Sequence, residues 1–266
     1  MADDPVTEMQ QWGLAAPGEL ERIVVVSPHL DDAVLGCAHL MAAHPGTTVV
    51  TVFTGAPDPY PDPPTGWDAL AGFGPGDDVL AARTAEDAAA LAVLEATPVW
   101  LDHVEHQYLP RPDWPTATAI VDDLEAAIRD LAPSAVVAPF GLGNPDHDAT
   151  HEAAMLVRER YDAPAWFCYE DMGYKHIPGL LAWRVARLFV RGVWPTPAAL
   201  PVDPDPARKQ RAVECYPSQL RSLEAEWRVS AKLSAPAPEQ YWRLAPPPPG
   251  WEGLADPAGW APRPSA

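Results

Sequence analysis

Near its N-terminal end the chain reads Ile23-Val24-Val25-Val26-Ser27-Pro28-His29-Leu30-Asp31-Asp32-Ala33. The first four residues are apolar and β-branched, which is typical of a buried strand, and an imidazole and two carboxylates follow at once. In an open parallel sheet, ligands bind just beyond the carboxyl ends of the strands. This stretch therefore predicts a strand that delivers His29, Asp31 and Asp32 to a functional site.

Apolar strands and amphipathic helices alternate after this stretch. Strands are predicted over residues 22–26, 47–54, 98–101, 134–140 and 165–169, and helices over 30–43, 77–96, 116–131, 149–161 and 206–227, the last interrupted at Pro217. Residues 180–193 fit either type. Such alternation is typical of an α/β fold with a mostly parallel sheet and helices on both faces.

Two proline-rich segments interrupt this alternation. The six prolines between Gly55 and Gly76 argue against any regular element there, and the loop leaves the end of a predicted strand, so we expect it to line or cover the site. Residues 235–266 are rich in proline and tryptophan. We therefore expect one domain over residues 1–234 and an extended C-terminal tail over 235–266, packed on the domain or partly disordered.

Charge and composition narrow the range of partners. The formal net charge is −19, whereas nucleic acid or an anionic membrane has to be met by clustered Lys and Arg. No run reaches the roughly 18 apolar residues of a membrane span, and Met1–Pro5 lacks the features of a signal peptide. Three widely spaced cysteines form neither a metal knuckle nor a disulfide framework. We expect a cytoplasmic protein without nucleic-acid or membrane partners, and homo-oligomerisation stays open.

A second polar loop follows another predicted strand and reads Gly143-Asn144-Pro145-Asp146-His147. If the two strands are neighbours, His29, Asp32 and His147 converge. Three His and carboxylate ligands with one position left for water are typical of catalytic zinc, although other divalent metals suit the same set. Asp31 would then lie beside the metal as a general base. The alternative for Asp32 is a role as the cap of the following helix.

Both loops resemble signature motifs of the LmbE/PIG-L zinc-dependent N-deacetylases. The string PHLDDAVLG resembles the family's His-Pro-Asp-Asp-Glu signature, and NPDHDATH resembles its His-Pro-Asp-His signature. Three later segments resemble family motifs in the same order: Arg83-Thr84-Ala85-Glu86, Tyr169-Glu170-Asp171, and Lys209 with Tyr216-Pro217-Ser218-Gln219. The resemblance covers about residues 20–225.

The resemblance implies a Rossmann-like fold with Zn²⁺ held by His29, Asp32 and His147. It places Asp31 as the general base that activates a metal-bound water, and Asn144 and Asp146 of the second loop join Asp31 in the expected catalytic set. The family hydrolyses acetamido groups, usually on N-acetylglucosamine-type sugars. A small amino-sugar or glycoconjugate is therefore the expected substrate.

Five residues are candidate substrate contacts: Arg83, Glu170, Asp171, His103 and His151. Each has a plainer alternative. Arg83 could form a helix-surface ion pair with Glu86, and the two acidic residues could be ordinary charges at a strand end. The two histidines could be loop and helix-surface residues, respectively.

Two positions depart from the family motifs. Ala33 stands where the signature often has Glu, and Asn144 stands where many members carry a His that stabilises the oxyanion or protonates the amine. A neutral amide can donate a hydrogen bond to an oxyanion but cannot act as an acid. Either Asp31 transfers the proton in both directions, or another histidine does. The candidates for that role are His151, His103, His106 and His176.

The sequence thus predicts a zinc-dependent N-deacetylase and leaves two alternatives open. One is a deacylase or amidase with the same metal site that acts on a larger acyl group or a thiol-conjugated glycoside. The other is a non-catalytic sugar-binding relative, for which Ala33 and Asn144 would be signs of lost activity.

Overall fold

The computed structural model describes residues 13–16, 18–234, 239–247 and 250. Within them, the strands are β1 Ile23–Ser27, β2 Thr48–Thr51, β3 Thr97–Trp100, β4 Ala135–Pro139, β5 Ala165–Tyr169, β6 Trp194–Ala198 and β7 Tyr241–Ala245. They form one sheet in the order β3-β2-β1-β4-β5-β7-β6. β1 to β5 pair in parallel, and β7 joins β5 and β6 antiparallel.

The helices longer than one turn are α1 Asp32–Ala43, α2 Gly66–Ala71, α3 Val79–Val93, α4 Ala117–Leu131, α5 Pro145–Arg160, α6 Leu180–Val190, α7 Pro206–Val213, α8 Pro217–Trp227 and α9 Val229–Ser234. Side chains of β1 alternate between two buried clusters, because successive residues of a strand point to opposite faces of the sheet. Ile23 and Val25 pack with α1, α3 and α7, while Val24 and Val26 pack with α4, α5 and α6. The predicted α/β class, with helices on both faces of a mostly parallel sheet, is confirmed.

The chain order of the strands changes direction at β1. From β1 the chain proceeds to β2 and β3 on one side, and β4 and β5 lie on the other. β1 pairs directly with β4, with Val25 opposite Val137. At such a switch point the loops after the two strands diverge and leave a crevice, which is where α/β proteins bind ligands. The two polar loops singled out in the sequence are the loops that border this crevice.

Several helices begin at residues that the sequence analysis had assigned to loops or to the middle of a helix. In each case a capping residue or a proline marks the start of the helix. α5 begins at Pro145, with the side chain of Asn144 accepting a hydrogen bond from Asp146 N, so His147 lies on a helix rather than in a loop. The proline-rich loop contains α2, which Thr65 caps. Pro217 is the first residue of α8, so the predicted helix over 206–227 is two helices.

The C-terminal region supplies a strand that the sequence did not predict. β7 inserts between β5 and β6, and the Trp242 ring packs edge-on against Phe140 with 5.7 Å between centroids. Residues 180–193, which fitted either type, contain the helix α6. The rest of the predicted tail, residues 235–238, 248–249 and 251–266, lies outside the described residues. Among the described residues, no helix combines the length and apolar character needed to cross a bilayer.

Candidate metal and active site

Three potential metal ligands meet where β1 and β4 end. His29 follows β1, Asp32 is the first residue of α1, and His147 lies in the first turn of α5. One ligand atom from each lies within 4.8 Å of the other two. Asp32 Oδ2 is the shared centre of the group, 3.3 Å from His29 Nδ1 and 3.2 Å from His147 Nε2.

The helix-cap alternative for Asp32 does not fit this geometry. The cap position of α1 is Asp31, and its side chain makes no capping hydrogen bond. The Asp32 carboxylate instead accepts a hydrogen bond from the backbone N–H of His29 at 3.0 Å. The side chains of Asp31 and Asp32 therefore line the crevice, and neither caps the start of α1.

The outer nitrogen of each histidine is held by a buried carboxylate. His29 Nε2 lies 3.0 Å from Asp146 Oδ2, and His147 Nδ1 lies 2.6 Å from Asp171 Oδ1. Both carboxylates are buried. Metal-ligating histidines generally donate their second N–H to such a partner, which fixes the ring and the tautomer. The donor set thus suits a divalent metal with His29, Asp32 and His147 as ligands.

A second metal-like group of His29, Glu105 and Asp146 is better explained as a hydrogen-bond network. Glu105 already forms a buried ion pair with Arg83, and Asp146 already accepts from His29 Nε2. Asp146 also receives the backbone N–H of His106 at 3.1 Å. Each carboxylate is therefore satisfied without an ion.

The charges of the site shift the pKa values of its members in opposite directions. Burial lowers the pKa of His147, but the adjacent Asp32 carboxylate and the hydrogen bond to Asp171 outweigh it and raise the pKa to about 9. Burial raises the pKa of Asp146, but hydrogen bonds from His106 and His29 outweigh it and lower the pKa to about 2. Before metal binding, the site therefore holds charged, mutually paired groups.

The Asp31 carboxyl is buried and lines the cavity, and none of the described histidines donates a hydrogen bond to it. Burial, together with the neighbouring Asp32 carboxylate, raises the pKa of Asp31 well above its ordinary value, although Arg83 opposes the shift. A carboxylate whose pKa moves toward neutrality is a stronger base. Its position and environment suit proton abstraction from a water in the cavity.

The crevice opens into a cavity of about 230 Å³. Its polar wall includes the ligands, Asp31, Arg83, Glu105, His106 and Asn144, and its apolar wall is made of Leu35, Trp67, Met172, Tyr174, Leu223 and Trp227. Trp67 comes from the proline-rich loop, which therefore lines the cavity. Mixed walls of this kind suit a ligand that presents hydroxyl groups and apolar faces together.

The structure separates the roles of the two catalytic candidates in the second loop. Asn144 lines the cavity, and its Nδ2 lies 3.5 Å from the Tyr174 hydroxyl while its Oδ1 caps α5. Asp146 is fully buried and holds His29 and His106. Asp146 thus contacts two histidines and does not line the cavity, and its place among the catalytic residues stays a prediction.

Of the five substrate-contact candidates, Arg83 alone lines the cavity. It pairs with Glu105 and not with Glu86, whose carboxylate accepts hydrogen bonds from Ser218 instead. Asp171 contacts His147 Nδ1 and does not line the cavity. These positions favour the functional interpretation of Arg83 and give a substrate contact at Asp171 no support.

The other three candidates lie away from the cavity. Glu170 accepts a hydrogen bond from Trp242 Nε1 at 3.0 Å. His103 Nε2 lies 3.1 Å from Asp123 on α4, and His151 is buried with Nδ1 2.9 Å from the Pro139 carbonyl. These positions give their assignment as substrate contacts no support. Glu105 and Tyr174 were missed, because a strand-end loop and a short turn carry no motif that marks them.

Comparison with known proteins agrees with this geometry. Residues 24–157, half of the chain, match the family model described as PIG-L: GlcNAc-PI de-N-acetylase. No curated protein has a significantly matching sequence. The fold is similar to an antimicrobial pseudoaglycone deacetylase, at 26% identity and a TM-score of 0.67 over 85% of this chain and 98% of that one.

Two further solved structures share the fold. A deacetylase of teicoplanin biosynthesis is 26% identical, with a TM-score of 0.68 over 85% of this chain and 98% of that one. The N,N'-diacetylchitobiose deacetylase of Pyrococcus horikoshii is 16% identical, with a TM-score of 0.52 over 85% of this chain and 84% of that one, and shows likeness of fold alone. The chain therefore belongs to the PIG-L family of de-N-acetylases and is an N-deacetylase.

Proposed function

We propose that the protein is a zinc-dependent hydrolase that removes the N-acetyl group from an N-acetylglucosamine-type sugar or sugar conjugate. The observation that carries this proposal is the meeting of His29, Asp32 and His147 with the buried Asp31 in one cavity. Family membership supports the reaction class, and the His/Asp/His donor set supports the metal. Another divalent ion would suit the same donors.

The residues around the cavity divide the work of amide hydrolysis. When bound, a divalent ion supplies Lewis acidity, which makes a coordinated water easier to deprotonate and a carbonyl easier to attack. Asp31 accepts the proton of the attacking water. Asn144 Nδ2 and the Tyr174 hydroxyl, which face each other across 3.5 Å, are neutral donors for the oxygen that becomes negative.

Arg83 and the tryptophans account for binding a sugar. Arg83 lines the cavity beside its ion-pair partner Glu105, so its guanidinium is positioned to donate to a hydroxyl of a bound ligand. Trp67 and Trp227 line the same cavity and offer ring faces. Trp67 Nε1 is fixed by Gln219 Oε1 at 3.0 Å, which holds its ring in place. A sugar stacks on rings and bonds to donors at its hydroxyls.

The test is the Asp31→Asn variant, assayed for acetate release from N-acetylglucosamine conjugates and for metal content. We expect the rate to fall about 10²–10⁴-fold with the metal retained, because the base is lost and the three ligands remain. Asp123→Asn is the matched control, since Asp123 lies on α4 and faces His103. An Asp31→Asn enzyme with the wild-type rate would refute the role of Asp31.

The apolar wall favours one second candidate, a deacylase for longer acyl groups. Leu35, Met172 and Leu223 line the cavity beside the ligands. A longer acyl chain would bury more apolar surface there, at roughly 0.8 kcal/mol for each methylene. Comparison of acetyl, butyryl and octanoyl forms of one amino sugar separates the two. A kcat/KM that rises with chain length supports the deacylase, and one that falls supports the deacetylase.

A further inference from the structure

We propose that His106 is the proton donor to the leaving amine, the role that the neutral Asn144 cannot fill. The inference rests on the proposed amide hydrolysis. It assigns to this chain a catalytic imidazole that comes from the loop after β3 and not from the loop after β4.

The ring of His106 is held from two sides at the edge of the cavity. Its Nδ1 lies 2.8 Å from Asp146 Oδ2, and its backbone N–H donates to Asp146 Oδ1 at 3.1 Å. Trp114 packs edge-on against the ring at 5.1 Å between centroids. Because Nδ1 is occupied by Asp146, Nε2 is the nitrogen available to a ligand. The side chain lines the cavity and is 23% exposed, so that nitrogen is within reach of bound substrate.

The pairing with Asp146 gives the ring the environment that an acid requires. The buried Asp146 carboxylate at Nδ1 fixes the tautomer that carries a proton on that nitrogen and holds the ring in one orientation. Asp146 Oδ2 also contacts His29 Nε2, at 3.0 Å. One carboxylate therefore orients both a proposed metal ligand and the proposed acid, and both histidines line the same cavity.

The other candidate donors are less suited. His103 faces Asp123, and His151 is buried against the Pro139 carbonyl outside the cavity. Burial raises the pKa of the Tyr174 hydroxyl above its ordinary value, which makes it a weaker acid. Among the described histidines that line the cavity, His29 and His147 are committed to the metal and His106 is not.

The proton balance of the step is complete without any further reactant. The water oxygen forms the new C–O bond while Asp31 accepts one proton of that water. The C–N bond breaks with its electron pair passing to nitrogen, which accepts the proton from Nε2 of His106. The proton on Asp31 then returns to Nε2 through solvent. One water is consumed, and one carboxylic acid and one amine are formed, for each amide.

The test compares His106→Gln with His103→Gln in the full chain loaded with zinc. We expect His106→Gln to lower kcat about 10²–10⁴-fold with KM within about threefold of wild type and the zinc content unchanged. The control histidine lies in the same loop but faces Asp123, so His103→Gln should keep kcat within about threefold. If His106→Gln does not fold, His106→Asn keeps a shorter donor toward Asp146 and is measured instead.

The outcomes separate this inference from the proposed function. A His106→Gln enzyme with more than about a third of the wild-type kcat, or one whose loss of kcat tracks a loss of zinc, overturns the assignment of His106. If Asp31→Asn is inactive in the same assay, the proposed function stands while this assignment falls. A zinc-loaded wild type that releases no acid from any N-acyl amino sugar refutes both.

Discussion

His147 and His151 lie one helical turn apart on α5, and their surroundings make them opposites. His147 faces the crevice between Asp32 and Asp171, and its pKa is raised to about 9. His151 faces the core, where burial and the nearby Arg184 lower its pKa to about 3. The residue type and the helix are the same. The charge on the neighbouring elements makes His147 the candidate ligand and His151 a neutral packing group.

The comparison explains why helical spacing alone is a poor guide to whether His151 contacts the substrate. Residues four apart share a face of a helix, which suggested that His151 would sit beside His147 in the site. His151 Nδ1 lies 2.9 Å from the Pro139 carbonyl oxygen at the end of β4, whereas the ring of His147 lies between Asp32 and Asp171. A shared helix face is therefore compatible with two different environments.

The largest effect on both histidines is expected from Gly141→Ala. Gly141 has φ +71°, and a Cβ there would clash with His151 Cβ and lie 2.7 Å from the His147 carbonyl oxygen. We expect a loss of about 3 kcal/mol or more in the free energy of unfolding, measured in urea, because strain and overlap add. Gly46→Ala is the control, since Gly46 has φ +87° with nothing within 4 Å of its Cβ position, and should lose about 1 kcal/mol. Equal losses would contradict the crowding at Gly141.

A smaller effect is expected from the pH dependence that His151 imposes on stability. The pKa of His151 is about 3 in the fold and near its ordinary 6.5 in the unfolded chain, so the unfolded chain binds the proton first as pH falls. This group therefore destabilises the fold progressively from about pH 6.5 downward, by at most about 1.4 kcal/mol for each pH unit.

The measurement is the free energy of unfolding of metal-depleted protein at pH 6 and pH 4. We expect wild type to lose up to about 2–3 kcal/mol more than His151→Gln over this interval, because glutamine can donate to the Pro139 carbonyl but does not titrate. Parallel curves for the two proteins would mean that His151 takes up protons equally in both states.

The sequence predicted the part of the site that is local to two strand ends. His29, Asp31 and Asp32 follow a strand whose apolar run is unmistakable, and β4 is equally apolar. These residues lie close to His147 only because β1 and β4 are neighbours in the sheet, and the apolar pattern of a strand does not determine its neighbours. The start of α5 carried readable signals in Asn144 and Pro145, but proline also marks loops, so the helix was predicted to begin too late.

Asp146 and Asp171 were singled out in the sequence, but their contacts with histidines could not be predicted, because these depend on partners distant in the chain. Asp171 reaches His147 from beyond β5, and Asp146 joins His29 to His106 across separate loops. β7 was missed since residues 241–245 lie among prolines and find their partner in β5. Each of these features is fixed by tertiary pairing and not by a local pattern.

Metal content tests the central claim most directly, through the same two histidines. His147→Gln and His151→Gln are each loaded with zinc, desalted and measured for zinc per chain by elemental analysis, beside wild type. Because the proposed centre has three protein ligands, we predict about one zinc per chain in wild type and in His151→Gln, and less than about one tenth in His147→Gln. Retention of a full equivalent by His147→Gln, or its loss from His151→Gln alone, would contradict a metal centre built on His29, Asp32 and His147.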